Sequence, residues 1–173
     1  MRVFVLSTGR TGSVTLSHAC KHITNFTSAH ESTRGKVGAL HFPENHIEID
    51  PHLVFNIGSL KKMYPDAVYV HLKRERRPCV ESLKKRASMR TLWIPHAYQK
   101  NGKHVTPEDI DISANLFYSF FNDVIAEFCP YAFKMNLENF KNDFTSFWQK
   151  IGAEGDLRAA LAEFNTKYNA GPV

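Results

Sequence analysis

Two groups of residues in this sequence have the types and spacing that anion chemistry needs. The first is Leu6-Ser7-Thr8-Gly9-Arg10-Thr11-Gly12-Ser13-Val14. Gly9 and Gly12 let the backbone curl so that several N–H groups turn inward. A helix opening near Ser13 adds the positive end of its dipole. A phosphate or sulfate fits such a cup, with Arg10 as a fixed charge and Thr11 and Ser13 as hydroxyl donors. No lysine follows Gly12, so this is not the GxxxxGK[ST] loop of nucleotide triphosphatases, and the third glycine of a dinucleotide fingerprint is missing. A tight turn with no ligand uses the same residues, so the motif alone leaves both readings open.

The second group is Val70-His71-Leu72-Lys73-Arg74-Glu75-Arg76-Arg77-Pro78-Cys79-Val80-Glu81-Ser82. Arg74 follows a strand-like run and Ser82 lies eight residues on, inside the next helix. A guanidinium and a hydroxyl at one sheet edge can share a phosphate. A salt bridge for Arg74 and an inert helical Ser82 are the plainer alternative.

Charge points to the same region. The formal net charge is +5, yet the segment Lys73–Arg90 holds eight basic and two acidic residues and so carries +6 by itself. The rest of the chain is nearly neutral. Such an asymmetry implies a local anion site or a face for a polyanion. For Lys84 and Lys85 a solvated helix face is the simpler expectation.

The elements that must position these groups can be read from periodicity. Arg2–Ser7 is a short apolar run ending at Thr8-Gly9, a buried strand. Val14, Leu16, Ala19, Cys20 and Ile23 recur at helical spacing after Ser13, a suitable residue to open a helix. Ile23–Ala29 predicts a weak second strand, His30–His46 a polar loop, and His46–Ile49 a short strand followed by a helix through Leu60–Met63. Ala67–Leu72 is a clear strand, and Pro78 suits the first turn of a helix running to about Ser88. Met89–His104 is irregular. Pro107-Glu108-Asp109 opens a long helix reaching Phe128, Ala132–Asn136 adds a last strand, and helices over Asn139–Ile151 and Asp156–Tyr168 close the chain. Strands alternating with helices predict a three-layer α/β/α domain around a mainly parallel sheet. Ligands of such sheets gather at the carboxyl ends of the strands, where both motifs fall.

With 173 residues, 43% of them hydrophobic and 23% charged, the chain fits one well-buried domain spanning 1–173. Its 13 phenylalanines read as core. Cys20, Cys79 and Cys129 form no CxxC pair, and the nine histidines form no metal motif, so no metal centre is expected. His18 and His22, four apart, read as a helix-surface pair. The opening Met1–Leu6 run is too short for a signal peptide, and no stretch approaches a bilayer span. The expectation is a cytoplasmic protein with no membrane partner.

Taken together, the two motifs resemble the nucleotide-binding signatures of the sulfotransferase superfamily. Gly9-Arg10-Thr11-Gly12-Ser13, continuing into Val14, is similar to the loop that holds the 5′-phosphosulfate. Arg74 and Ser82 resemble the pair that holds the 3′-phosphate, at the family's spacing. Tyr64-Pro65-Asp66-Ala67 before Val70-His71-Leu72 resembles the family's approach to that strand. The likeness covers residues 2–31 and 64–90. It departs where Arg76 stands in place of proline after Glu75, and where Lys167–Val173 keeps only a trace of the family's closing loop.

The resemblance implies a P-loop-like fold and 3′-phosphoadenosine 5′-phosphosulfate as sulfuryl donor, with no metal and a small-molecule or carbohydrate acceptor. It implies that Arg10 stabilises charge on the bridging oxygen. A base is also required, and members of the family use Glu or His, which puts Glu31 first and His30 second. Glu48 and His46 are weaker candidates, and Arg34 is placed for an anionic acceptor.

Two other classes share some of these features. A P-loop kinase or hydrolase without its lysine needs magnesium and an acidic ligand at a strand end, and Leu72-Lys73-Arg74 ends the best strand with positive charge instead. A non-catalytic module using the basic helix on nucleic acid leaves the strand–loop–helix start without a role, so nucleic acid is disfavoured. No feature of the sequence sets an oligomeric state.

Overall fold

The computed structural model of the protein describes residues 1–33, 40–85, 106–166 and 168. Arg34, Arg86, Arg90, the Met89–His104 segment and most of the Lys167–Val173 tail, all named above, lie outside the described residues.

In chain order the elements are β1 (Arg2–Ser7), α1 (Ser13–Cys20), β2 (Thr27–His30), β3 (His46–Ile49), α2 (Ile57–Met63), β4 (Val68–Lys73), α3 (Arg76–Lys84), α4 (Pro107–Phe128), β5 (Phe133–Asn136), α5 (Phe140–Ile151) and α6 (Leu157–Ala162). Short 3₁₀ turns occupy Pro51–Asn56, Leu137–Asn139 and Glu163–Asn165. The five strands form one all-parallel sheet in the order β2-β3-β1-β4-β5. The α/β architecture expected from the alternation is therefore the observed one.

Strand alternation explains the two cores. Val3 and Val5 of β1 point to one face, where they join Ile47, Ile49, Val70, Leu72 and the inner sides of α1, α5 and α6. Phe4 and Leu6 point to the other, against the Pro51–Asn56 turn, α2, α3 and α4. A strand covered on both faces has to be apolar at every position, which is why Val3-Phe4-Val5-Leu6 reads as a continuous run. Each such large side chain removed from water contributes roughly 1.5–3 kcal/mol.

The ends of the elements follow from local chemistry. At the start of α4, Thr106 accepts from the Asp109 backbone while Asp109 reaches back to the Thr106 N–H, with Pro107 in the first turn. Pro78 likewise lies in the first turn of α3, which starts at Arg76. The last helix is shorter than periodicity suggests, because the chain tightens into 3₁₀ after Ala162. Strand β2 begins at Thr27 rather than Ile23, since Ile23 makes an isolated antiparallel bridge to Gly155 instead. His22 lies past the end of α1 and bonds Glu163 at 2.9 Å, while His18 stacks on Tyr168, so the two histidines do not act as a pair.

The strand order reverses at β1, so the loop after β1 sits where helices on opposite faces diverge. In open α/β sheets ligands bind at such a position, beyond the carboxyl ends of the strands.

Candidate functional site

The loop between β1 and α1 carries three left-handed residues, Gly9 (φ 73°), Arg10 (φ 57°) and Gly12 (φ 88°). Only glycine takes such angles without cost; for Arg10 the strain is about 1–2 kcal/mol. Among the described residues, nothing lies within 4 Å of a Cβ built on Gly9. Gly12 caps α1, with no side-chain cap, and the first intrahelical bond is Leu16 N–H to the Gly12 carbonyl at 3.0 Å. The amides of Ser13, Val14 and Thr15 precede that bond, and a helix leaves such groups for capping groups or ligands. Ser13 is thus the first helical residue rather than the cap, and its hydroxyl meets His30 Nε2 at 3.1 Å.

The two motifs meet directly. Arg10 Nε–H donates to Ser82 Oγ at 2.9 Å, across 72 positions of sequence. Arg74 donates through Nη1 to the Arg10 carbonyl at 3.1 Å, and Tyr118 Oη–H holds the Arg74 carbonyl at 2.8 Å. Between them lies Cys79, fully buried, with Sγ 3.5 Å from Thr8 Oγ1 and 3.7 Å from the Gly9 carbonyl. Burial pushes its thiol pKa up, partly offset by the Thr8 bond and by the guanidiniums of Arg74 and Arg10. Beyond Arg74, the Glu75 N–H donates to Glu138 Oε1 at 2.9 Å, so the turn after β5 completes the rim.

The remaining site residues fall at neighbouring strand ends. His30 ends β2 and touches the loop through Ser13. Glu31 follows in the left-handed region (φ 52°), with its N–H on the Ile49 carbonyl. Strain of this kind in a non-glycine residue gathers at functional sites. Thr11 is enclosed rather than open, and its hydroxyl has no partner among the described residues.

Of the basic residues after Lys73, only some serve this place. Lys84 pairs with Glu81 and Asp111 at 2.9 and 2.7 Å, the second an ion pair from α3 to α4. Arg76 bonds Asn115 and lies over the Tyr118 ring.

Sequence reasoning named His46 and Glu48 as weaker candidates on β3 but missed Asp50 and His52, and with them the buried polar column. His46, Glu48 and Asp50 alternate onto one side, and all three are buried. Glu48 accepts from the Ser32 N–H (3.0 Å), the Ser32 hydroxyl (2.6 Å) and His46 Nε2 (3.1 Å). Asp50, at the carboxyl end of β3 beside β1, accepts from Thr33 Oγ1 and from both the N–H and Nδ1 of His52. That bond leaves the opposite nitrogen of the exposed His52 ring turned away from the carboxylate. The signal was period-2 alternation of polar residues in a strand, which means a buried polar column only once the burial is known.

Among the described residues no helix is long and apolar enough to cross a membrane. No family model, no characterised protein and no solved structure matches this chain.

Proposed function

We propose that this chain is a sulfotransferase that binds 3′-phosphoadenosine 5′-phosphosulfate and moves its sulfuryl group to a hydroxyl or amine of a small-molecule or carbohydrate acceptor. The observation that carries the reading is the junction of the two motifs. Arg74 and Ser82, 64 and 72 residues from Arg10 in sequence, both bond Arg10 in the loop after β1. A nucleotide with phosphates at two ends is the ligand that needs both motifs. The sequence resemblance supplies the donor's identity.

In this reading the loop amides and the start of α1 receive the sulfated end, and Arg74 and Ser82 receive the distal phosphate. The acceptor oxygen or nitrogen attacks sulfur in line. The new bond forms as the bond to the bridging oxygen breaks, and the electron pair leaves on the 5′-phosphate of 3′-phosphoadenosine 5′-phosphate. Glu31 takes the acceptor's proton, while His30 holds Ser13 and with it the loop. Oriented donors lower the barrier by stabilising charge on the leaving oxygen, and the base contributes about 10²–10⁴-fold.

One observation favours a second reading. Asp50 stands at the end of the strand next to the loop, where a kinase or hydrolase places an acidic group for magnesium. Its carboxylate is already satisfied by His52 and Thr33, which weakens that alternative. The test offers the sulfuryl donor with a panel of alcohols, amines and saccharides, beside ATP with magnesium. Formation of 3′-phosphoadenosine 5′-phosphate in step with a sulfated product is expected. Magnesium-dependent ATP turnover with the donor untouched would replace this reading by the second.

A further inference from the structure

The resemblance assigns Arg10 to the end of the nucleotide where the sulfuryl group moves, but its side chain goes elsewhere. We infer that Arg10 belongs to the subsite for the distal phosphate, forming with Arg74 and Ser82 a three-group reader of that phosphate, and that the loop holds the sulfated end with main-chain amides. This inference rests on the nucleotide reading above and changes the role of one residue within it.

The geometry begins with the backbone. At φ 57° Arg10 pays steric strain that a glycine there would avoid, and its side chain lies against α3. There its Nε–H meets Ser82 Oγ, the hydroxyl assigned to the distal phosphate. Arg74 closes the arrangement from β4 by bonding the Arg10 carbonyl. Each of the three groups is therefore placed by another, and Tyr118 fixes the Arg74 backbone from α4. Cys79, three residues before Ser82 on the same helix, lies against the loop through Thr8 Oγ1 and the Gly9 carbonyl. Arg10 thus links the other two, its side chain on Ser82 and its carbonyl on Arg74.

Such a cluster suits a dianion. A terminal phosphate accepts several charge-assisted hydrogen bonds, which two guanidiniums and a hydroxyl can supply. Guanidinium is the group for this task because it stays charged and presents its donors as a planar fork. A 5′-phosphate held by backbone amides needs no such fork. Arg10 then sets the preference for a bisphosphate over a monophosphate, and contributes little to holding the 5′ end.

The experiment measures dissociation constants for adenosine 3′,5′-bisphosphate and for 5′-AMP by calorimetry. The proteins are the unaltered chain, Arg10→Asn, Arg10→Lys and Arg74→Gln. Asn tolerates the left-handed backbone, so Arg10→Asn removes the guanidinium with little change in the loop, and its thermal midpoint is checked against the parent. The unaltered chain is expected to prefer the bisphosphate. Arg10→Asn and Arg74→Gln should each cut that preference about 10- to 100-fold, as loss of hydrogen bonds to a charged group implies. Affinity for 5′-AMP should move less than about threefold, and Arg10→Lys should fall between. Equal weakening of both nucleotides by Arg10→Asn puts the guanidinium at the 5′ end and overturns the inference while sparing the nucleotide site. If the unaltered chain shows no preference for the bisphosphate, the nucleotide reading fails and the inference goes with it.

Discussion

Gly12 stands so close to Leu137 that a Cβ built on it would lie 2.6 Å from Leu137 Cδ1 and 3.1 Å from Phe140 Cε1. The turn after β5 is thus pressed against the loop after β1, and no side chain fits between them. Gly12→Ala must hold a left-handed φ of 88° and displace Leu137 at once. We expect a loss of about 1–3 kcal/mol in urea unfolding. Adding Leu137→Ala to Gly12→Ala should cost less than Leu137→Ala costs alone, because the crowding is relieved. Strict additivity of the two changes would show that crowding is not the cause.

Much of this framework was legible before the structure. β1, β3 and α4 have the bounds that periodicity and capping predict, because Val3–Leu6 is covered on both faces and Thr106–Asp109 caps its helix locally. The errors have a common origin in distant partners. Ile23 left the expected strand to pair with Gly155, 132 residues away, and nothing near Ile23 signals that. At the site, the residue types at Gly9–Ser13, Arg74 and Ser82 could be read, but not where Arg10 would send its guanidinium. Asp50 and His52 were passed over for the same reason, since the bond between them matters only because Asp50 is buried.

His71 offers a test in pH. It is buried on β4, its Nε2 bonds Asn122 Oδ1 at 2.9 Å, and burial pushes its pKa down to about 4 despite that bond. The folded protein therefore keeps a neutral ring where the unfolded chain, with an ordinary value of 6.5, already binds a proton. Stability is intact above the unfolded value and falls as pH drops from about 6.5 to about 4. The expected loss is on the order of 3 kcal/mol. His71→Gln can still bond Asn122 and does not titrate, so the difference between the two stability–pH curves isolates the effect. Parallel curves would mean that His71 is protonated in the fold without cost.

Glu48 should matter to both stability and turnover. It is fully buried and accepts three bonds, two of them from Ser32, which directly follows Glu31. Glu48→Ala strands the buried His46 donor and releases Ser32, at a cost of about 3 kcal/mol. Glu48→Gln keeps the shape and one acceptor oxygen, so it should cost less. If the contact positions Glu31, donor turnover at a temperature where both variants are folded should follow the same order. Turnover equal to that of the parent in both would confine Glu48 to a packing role.

In the proposed reaction three ionisable groups at adjacent strand ends are candidates for the proton acceptor, and their surroundings rank them. His30 already has its Nε2 on Ser13, which suits it to hold the loop. His52 is oriented by the buried Asp50 but is attached to the strand beyond, on the turn that follows β3. Glu31 is held at a strained backbone angle, immediately past the strand that delivers His30 to the loop. Glu31→Gln should therefore lower turnover about 10²–10⁴-fold while leaving affinity for adenosine 3′,5′-bisphosphate unchanged. His30→Gln should weaken nucleotide binding and turnover together, because it frees Ser13. Those opposite splits between binding and turnover can be read from one set of kinetic and calorimetric titrations. A loss of turnover alone in His52→Gln, with Glu31→Gln close to the parent, would move the base to the imidazole that Asp50 holds.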